Sequence, residues 1–299
     1  MRDFLALTKR NIKLFFKDKG LFFTSMVTPL ILLLLYTTFL GKVYKDSFLM
    51  SIPQGLEIEE RIINGCVGGQ LLSSLLAVSC VTVAFCSNML SVQDKMSGAK
   101  SDLLLTPVKQ DKMAFAYYCA TLVSTLLVAL TAIIACFIYL TIAGWYLSFS
   151  DVLLLLLDVF LLTSFGTALS SIINCFLSTQ GQISAVGTIV SAGYGFICGA
   201  YMPISTFSSA LQNVISFLPG TYATSLIRNH AMRGALSALQ GQGVPTEAIS
   251  AVKDSIDCNL YFFKHQVPVW AMYLILCFSI VLLLGLFIVV HKHTSKNKK

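Results

Sequence analysis

Six stretches of this chain are apolar for so long that they leave few folds open to it: Leu21 to Leu40, Ile62 to Leu90, Met113 to Ala143, Val152 to Leu177, Ile183 to Met202 and Val267 to Val290. A run of about 20 apolar residues, wound as a helix, crosses the hydrocarbon core of a bilayer. The runs lack the strict two-residue alternation of a membrane β-barrel and are too long for its strands. With 56% hydrophobic and 12% charged residues, the 299-residue chain also has too few polar side chains to cover a water-soluble globule. The expectation is an all-α membrane protein of six transmembrane helices, a single domain over residues 1–299.

Charge sets the orientation. With both termini in the cytoplasm, the inner segments carry 14 of the 21 lysines and arginines, the bias expected of a multi-pass protein in a plasma membrane. The formal charge of +7 then reflects topology and anionic membrane lipids, and calls for no nucleic acid.

Residues 1–20 predict an interfacial helix rather than a cleavable signal. On a helical wheel Arg2, Lys9, Arg10, Lys13 and Lys17 share one arc, and Phe4, Leu5, Leu7, Ile12, Leu14, Phe15 and Phe16 fill the rest. Thr28-Pro29 predicts a tolerated kink in the first span. Gly41 to Arg61 reads as an external connector turning at Pro53-Gln54-Gly55, with Glu57, Glu59 and Glu60 as a solvated edge.

The longest polar interruption in the middle of the chain is residues 93–112, QDKMSGAKSDLLLTPVKQDK. Lys95, Lys100, Lys109 and Lys112 alternate there with Asp94, Asp102 and Asp111, and a short helix from Lys100 to Leu105 should stop at Thr106-Pro107. It reads as a cytoplasmic helix held between two spans and shaped to touch another protein.

Three helices carry stripes of small residues four apart: Gly65, Gly69, Ser73 and Ala77; Gly166, Ser170, Asn174 and Ser178; and Gly187, Ser191, Gly195 and Gly199. Such stripes let helices approach closely, either inside one chain or at a subunit interface or pathway. Asp158 is the ionisable residue deep in a span. It is either a functional group or a side chain protonated or bonded to a neighbouring Ser or Thr, and it stands alone where a proton- or sodium-driven carrier would have a relay. After the fifth span, residues 203–266 predict an amphipathic helix bracketed by Pro203 and Pro219, dipping into the outer leaflet or lying on it. An external cap containing Arg228, Arg233 and a small Pro245 to Ile256 helix should follow.

No GxxxxGK[ST], GxSxG, HExxH or CxxC occurs, so no catalytic residue, cofactor site or metal site is expected. His291 and His293 read as solvated. Of nine cysteines, six lie well inside apolar runs, and Cys66, Cys198 and Cys258, at or beyond the outer boundary, leave a disulfide open.

Two stretches resemble the ABC-2 type permease family, the membrane subunits of ABC exporters. One is Asp94 to Pro107, where Gly98, the leucine run and Thr106-Pro107 are similar to the family's coupling helix. The other runs from Gly199-Ala200-Tyr201-Met202-Pro203 through Phe217-Leu218-Pro219-Gly220-Thr221-Tyr222 to Arg228. The resemblance implies an ATP-binding partner subunit that supplies the ATP, a second permease copy or paralogue, and outward passage of substrate along the second and fifth spans. It points to Asp94, Lys95, Gly98, Lys100, Asp102, Leu104, Thr106 and Pro107 as coupling residues. The expected cargo is amphipathic, a drug-like compound, peptide or lipid. The alternatives are a lipid-linked polysaccharide, a self-sufficient ion-coupled carrier or channel, and a sensor or scaffold that transports nothing.

Overall fold

A computed structural model describes residues 2–50, 58–263 and 265–296, with the backbone alone at 37 and 292–296. The chain starts with α1 (Arg2–Lys17), which ends where the Asp18 carboxylate caps the next helix by accepting the Leu21 amide at 3.1 Å. Then come α2 (Lys19–Leu35), a π-helical turn (Tyr36–Leu40) and α3 (Gly41–Met50). These three run on as one rod that keeps its helical path through Pro29. The expected connector at Gly41 is therefore corrected: the helix goes on past the apolar run because Tyr44 stacks on Tyr36 at 5.6 Å and Lys45 pairs with Glu60. The expected turn at Pro53-Gln54-Gly55, with Glu57, lies outside the described residues.

The rest follows as α4 (Glu60–Asn88), α5 (Leu90–Met96), α6 (Ala99–Leu104), α7 (Gln110–Ala143), α8 (Phe149–Phe176), α9 (Gln180–Ile197), a 3-10 turn (Ile204–Thr206), α10 (Ser209–Ile215), α11 (Pro219–Gly241) and α12 (Thr246–Ser255). A small hairpin of β1 (Leu260–Phe262) and β2 (His265–Val267), paired antiparallel with Tyr261 opposite Gln266, leads into α13 (Val269–Lys296).

Five described segments are long and apolar enough to cross a membrane: Lys19–Met50, Glu60–Met96, Gln110–Ala143, Phe149–Phe176 and Val269–His291. The expected fifth run forms α9, which has 18 residues with Gln180, Gln182, Ser184 and Thr188 among them, and it falls short of that description. Its helix stops at Ile197 because Gly199 takes a left-handed φ of 74° and the amides of Ala200 and Tyr201 fold back onto the Gly195 carbonyl. Gly199 is thus a cap and not the last member of a helical stripe, a correction to that expectation.

α4 stands at the centre of the bundle, buried along nearly its whole length, with α2, α7, α8 and α11 packed around it. The largest departure from expectation is α11. Residues from Thr221 onward, predicted to lie outside as a cap, form a 23-residue helix wedged against α4, α8 and α13. Pro219 opens it at the first helical position, where its missing N–H costs nothing. Hydropathy hides the helix because Arg228, Asn229, His230 and Arg233 lower its apolar content. Its small residues are what let it enter: a Cβ at Gly234 would sit 1.7 Å from the Tyr146 carbonyl oxygen, and one at Gly69 of α4 would sit 2.9 Å from the Ala231 carbonyl oxygen.

Because the atom opposite Gly234 is backbone and cannot swing aside, Gly234→Ala should destabilise the solubilised protein by about 1–3 kcal/mol. Thermal unfolding followed by helical circular dichroism measures this. A variant as stable as the parent would show that α11 does not seat where described.

Candidate functional site

The polar segment after α4 forms a compact knob. α5 continues the line of α4 almost without a break, and the chain turns at Gly98, whose φ of 82° is left-handed. α6 then runs from Ala99 to Leu104, one residue earlier than the predicted Lys100 to Leu105, and ends where the Thr106 hydroxyl donates to the Leu103 carbonyl at 2.6 Å ahead of Pro107.

The predicted coupling residues divide into two sets. Asp94 is only 6% exposed. Its carboxylate accepts two bonds from the Arg10 guanidinium, at 2.7 and 3.3 Å, and one from the Tyr117 hydroxyl. The bond to Asp94 raises the pKa of Arg10 further above its ordinary value, against the opposing effect of burial. Lys95 points the other way and donates to the carbonyls of Asn174 at 2.7 Å and Leu177 at 3.2 Å, capping the C-terminus of α8. These two residues fasten the knob to α1, α7 and α8. Asp102, Thr106 and Pro107 face outward, as do Met96 and above all Leu105, 88% exposed, while Leu104 is part exposed and part turned toward a cavity behind the knob.

α1 lies beside the knob and packs Thr8, Asn11 and Phe15 against its neighbours, chiefly α7, with Phe4 stacked on Phe115 at 5.7 Å. Lys9, Lys13 and Lys17 remain exposed.

Deeper in the bundle, Arg228 of α11 is 1% exposed. It donates to the carbonyls of Ile256 at 2.5 Å and Gly199 at 2.8 Å, pairs with Asp257 at 3.4 Å and reaches the Ser73 hydroxyl of α4 at 3.5 Å. Asp257, itself at a left-handed φ of 55°, accepts the Ile204 amide at 2.8 Å. Burial pushes the Asp257 carboxyl above the ordinary carboxylate range, while the Arg228 charge pulls it back. One side chain thus ties α11, the end of α9, the 3-10 turn and the stretch after α12 to the central helix.

Asp158 does not stand alone, which corrects the expectation for it. Fully buried on α8, it has His230 Nδ1 of α11 at 2.6 Å from one oxygen and accepts the Tyr273 hydroxyl of α13 at 2.6 Å on the other. One helical step outward, Arg233 pairs with Asp151, which is buried and closes a capping box with Ser148 at the start of α8. Arg233, expected in an external cap, thus packs against the start of α8. The signal that finds this cluster is spacing: His230 and Arg233 are three residues apart on one helix, Asp158 and Asp151 two turns apart on another.

The small-residue stripes are taken up within the chain. Gly65 sits under the Tyr146 ring, Gly69 against Ala231 and Met232, Ser73 beside Arg228, and Gly187 against Met89. Tyr201 folds back over Gly195, and its hydroxyl donates to the Ser191 carbonyl at 3.4 Å. Pro203 then starts the 3-10 turn. Cys66, Cys198 and Cys258 are buried free thiols. Among the described residues no group of three His, Cys, Asp or Glu side chains is placed to hold a metal ion.

A polar knob after the second long helix, a basic helix ahead of the first and a proline-led return into the bundle are together on one chain. Residues 2–231 match the family model described as ABC-2 type transporter, well over half of the sequence. The chain belongs to the ABC-2 type transporter family. No curated protein matches it. Members of this family are membrane permeases of ABC transporters, a transmembrane and not a catalytic family, generally paired with an ATP-binding subunit. The match runs from α1 into α11, so in this ABC-2 chain it takes in the knob, Arg228 and His230.

Two outcomes test this geometry. Arg228→Met leaves the Asp257 carboxylate and the carbonyls of Gly199 and Ile256 without their donor, and should cost about 3–5 kcal/mol in thermal unfolding. For the inner cluster, Asp158→Ala and His230→Ala should each destabilise the protein while the double variant loses much less than their sum, a coupling of about 1–3 kcal/mol. Additive losses would mean that the two side chains do not meet.

Proposed function

We propose that this ABC-2 chain is the permease subunit of an ATP-driven exporter in a plasma membrane, with both termini in the cytoplasm, and that the α5–α6 knob is the surface its ATPase grips. The observation that carries this reading is the pairing of an outward apolar tip with inward polar anchors. Leu105 is 88% exposed just past the end of the short helix α6, between Asp102 and Thr106, while Asp94 and Lys95 on α5 fix the base of the knob to α1, α7 and α8. An exposed leucine at the tip of a polar loop has nothing to cover it within the chain and suits a pocket on a partner.

Closure of the partner on ATP moves the knob. Asp94 passes the movement to the basic helix α1, which lies on the inner leaflet, and Lys95 passes it to α8. In this reading α9 is the sixth span, and a second copy of the chain or a paralogue stands opposite. The cargo is amphipathic: a drug-like compound, peptide or lipid. An apolar cavity of about 420 Å³ between α2, α4 and α7, beside Pro29, supports that choice. A lipid-linked polysaccharide remains the alternative cargo.

The pairing of Asp158 with His230 and Tyr273 supplies what an ion-coupled carrier would need, so that second reading has an observation in its favour. Proteoliposomes containing the chain alone separate the two. The ATP-driven reading expects no solute uptake under an ion gradient without the ATPase.

Leu105→Asp and deletion of residues 100–105 should each remove the ATPase from the purified complex. Arg10→Ala should keep the ATPase bound yet lower transport per ATP hydrolysed by at least about tenfold, as expected for a lost buried charge-assisted bond. Retention of the ATPase by the deletion variant would exclude the knob as its seat.

A further inference from the structure

At the inner end of the bundle, behind the knob, a cavity of about 270 Å³ opens between α5, α6, α7, α8 and the last turns of α13. Three nitrogen bases converge on it: Lys95, Lys100 and His291. The charges of both lysines bear on His291. The sequence reads His291 as solvated, yet its Nε2 is buried without a hydrogen-bond partner.

Asn174 of α8 adds a second unmet demand. It is 3% exposed, lines the cavity and keeps its Nδ2 group unpartnered, although a buried amide without an acceptor is costly. No acidic side chain lines the cavity. Asp94 is turned to Arg10 and Tyr117, and Asp111 acts on His291 from outside the wall.

The opposite wall is apolar, made by Met113, Leu104 and Phe287. Phe287 and His291 carry that wall onto α13, whose Leu282, Leu286 and Val289 are exposed along its length. We propose that this cavity binds the phosphate group of an anionic amphiphile of the inner leaflet. Lys100, His291 and the Asn174 amide hold the phosphate oxygens, Lys95 adds its charge from the end of α8, and the acyl chains lie outside along α13.

The chemistry is that of a phosphate with spare oxygens. Each oxygen accepts from an N–H, and the negative charge is met by the two lysines. The cavity suits the headgroup alone, since a volume near 270 Å³ lies at the lower limit of small-molecule sites.

Native mass spectrometry of the full chain, without any ATPase, tests the site with three probes: phosphatidylglycerol, the uncharged diacylglycerol and inorganic phosphate. Phosphatidylglycerol should stay bound where diacylglycerol is lost. Lys100→Gln and His291→Gln should each weaken that retention about tenfold. Asn174→Asp, nearly the same shape but bringing a carboxylate into the cavity, should abolish it, and unchanged helical circular dichroism keeps the comparison valid.

Inorganic phosphate that binds by itself and displaces the lipid at equal concentration supports the phosphate site and makes its source a soluble one. Equal retention of phosphatidylglycerol and diacylglycerol, or phosphatidylglycerol binding unchanged in all three variants, overturns the proposal. Since no partner is present, that failure leaves the ATPase seat on the knob standing.

Discussion

The guanidinium of Arg228 holds the architecture together from its middle. A cation taken out of water costs several kcal/mol unless it is met by acceptors on every side, and here the acceptors come from three separated parts of the chain: Ser73, Gly199 and the adjacent Ile256 and Asp257. Satisfying one buried charge therefore fixes the end of α9, the 3-10 turn and the stretch after α12 against α4. Farther along α11, His230 and the half-exposed Arg233 find the buried Asp158 and Asp151 on α8. A helix with polar residues on several faces becomes an inner helix because each of those residues has an assigned partner.

That arrangement explains which parts of the fold can be read from the sequence. The long apolar runs near Leu21, Ile62, Met113, Val152 and Val267 are visible because hydropathy and length alone mark a membrane helix. The knob is visible too, since Gly98 and Thr106-Pro107 set its limits through local backbone rules that need no tertiary information. α11 is hidden, because a window average sees Arg228 and His230 as costs and cannot see Asp257 and Asp158, which cancel them from 29 and 72 residues away. The end of the first rod is hidden for a related reason. Lys42, Lys45 and Asp46 close the apolar run, while the helix itself continues on the strength of Tyr36, Tyr44 and Glu60.

The candidate site was legible at the level of the segment and not of the residue. A run of alternating charges says that a loop is wet and available. It does not say that Asp94 turns inward to Arg10 while Asp102, eight residues later, faces out. Small-residue stripes carry the same ambiguity: Gly69 and Gly195 do permit close approach, but the approaching groups are Ala231 and Tyr201 of the same chain. Burial of the glycine faces within the chain leaves the outer side of α9, with Ser184, Thr188 and Ala192 exposed, as the more open surface of that helix.

The first rod has a mechanical consequence. From Lys19 to Met50 it is an unbroken helix of 32 residues, about 48 Å long at 1.5 Å per residue and so longer than the hydrocarbon it crosses. Its lower end is joined to α1 through Asp18, and α1 is joined to the knob through Arg10. Were Pro29 the fulcrum, the upper arm to Met50 would be about twice the lower one, and a swing of about 5° there would carry Met50 sideways by about 3 Å. A small stroke at the knob would then arrive enlarged at the opposite end of the bundle.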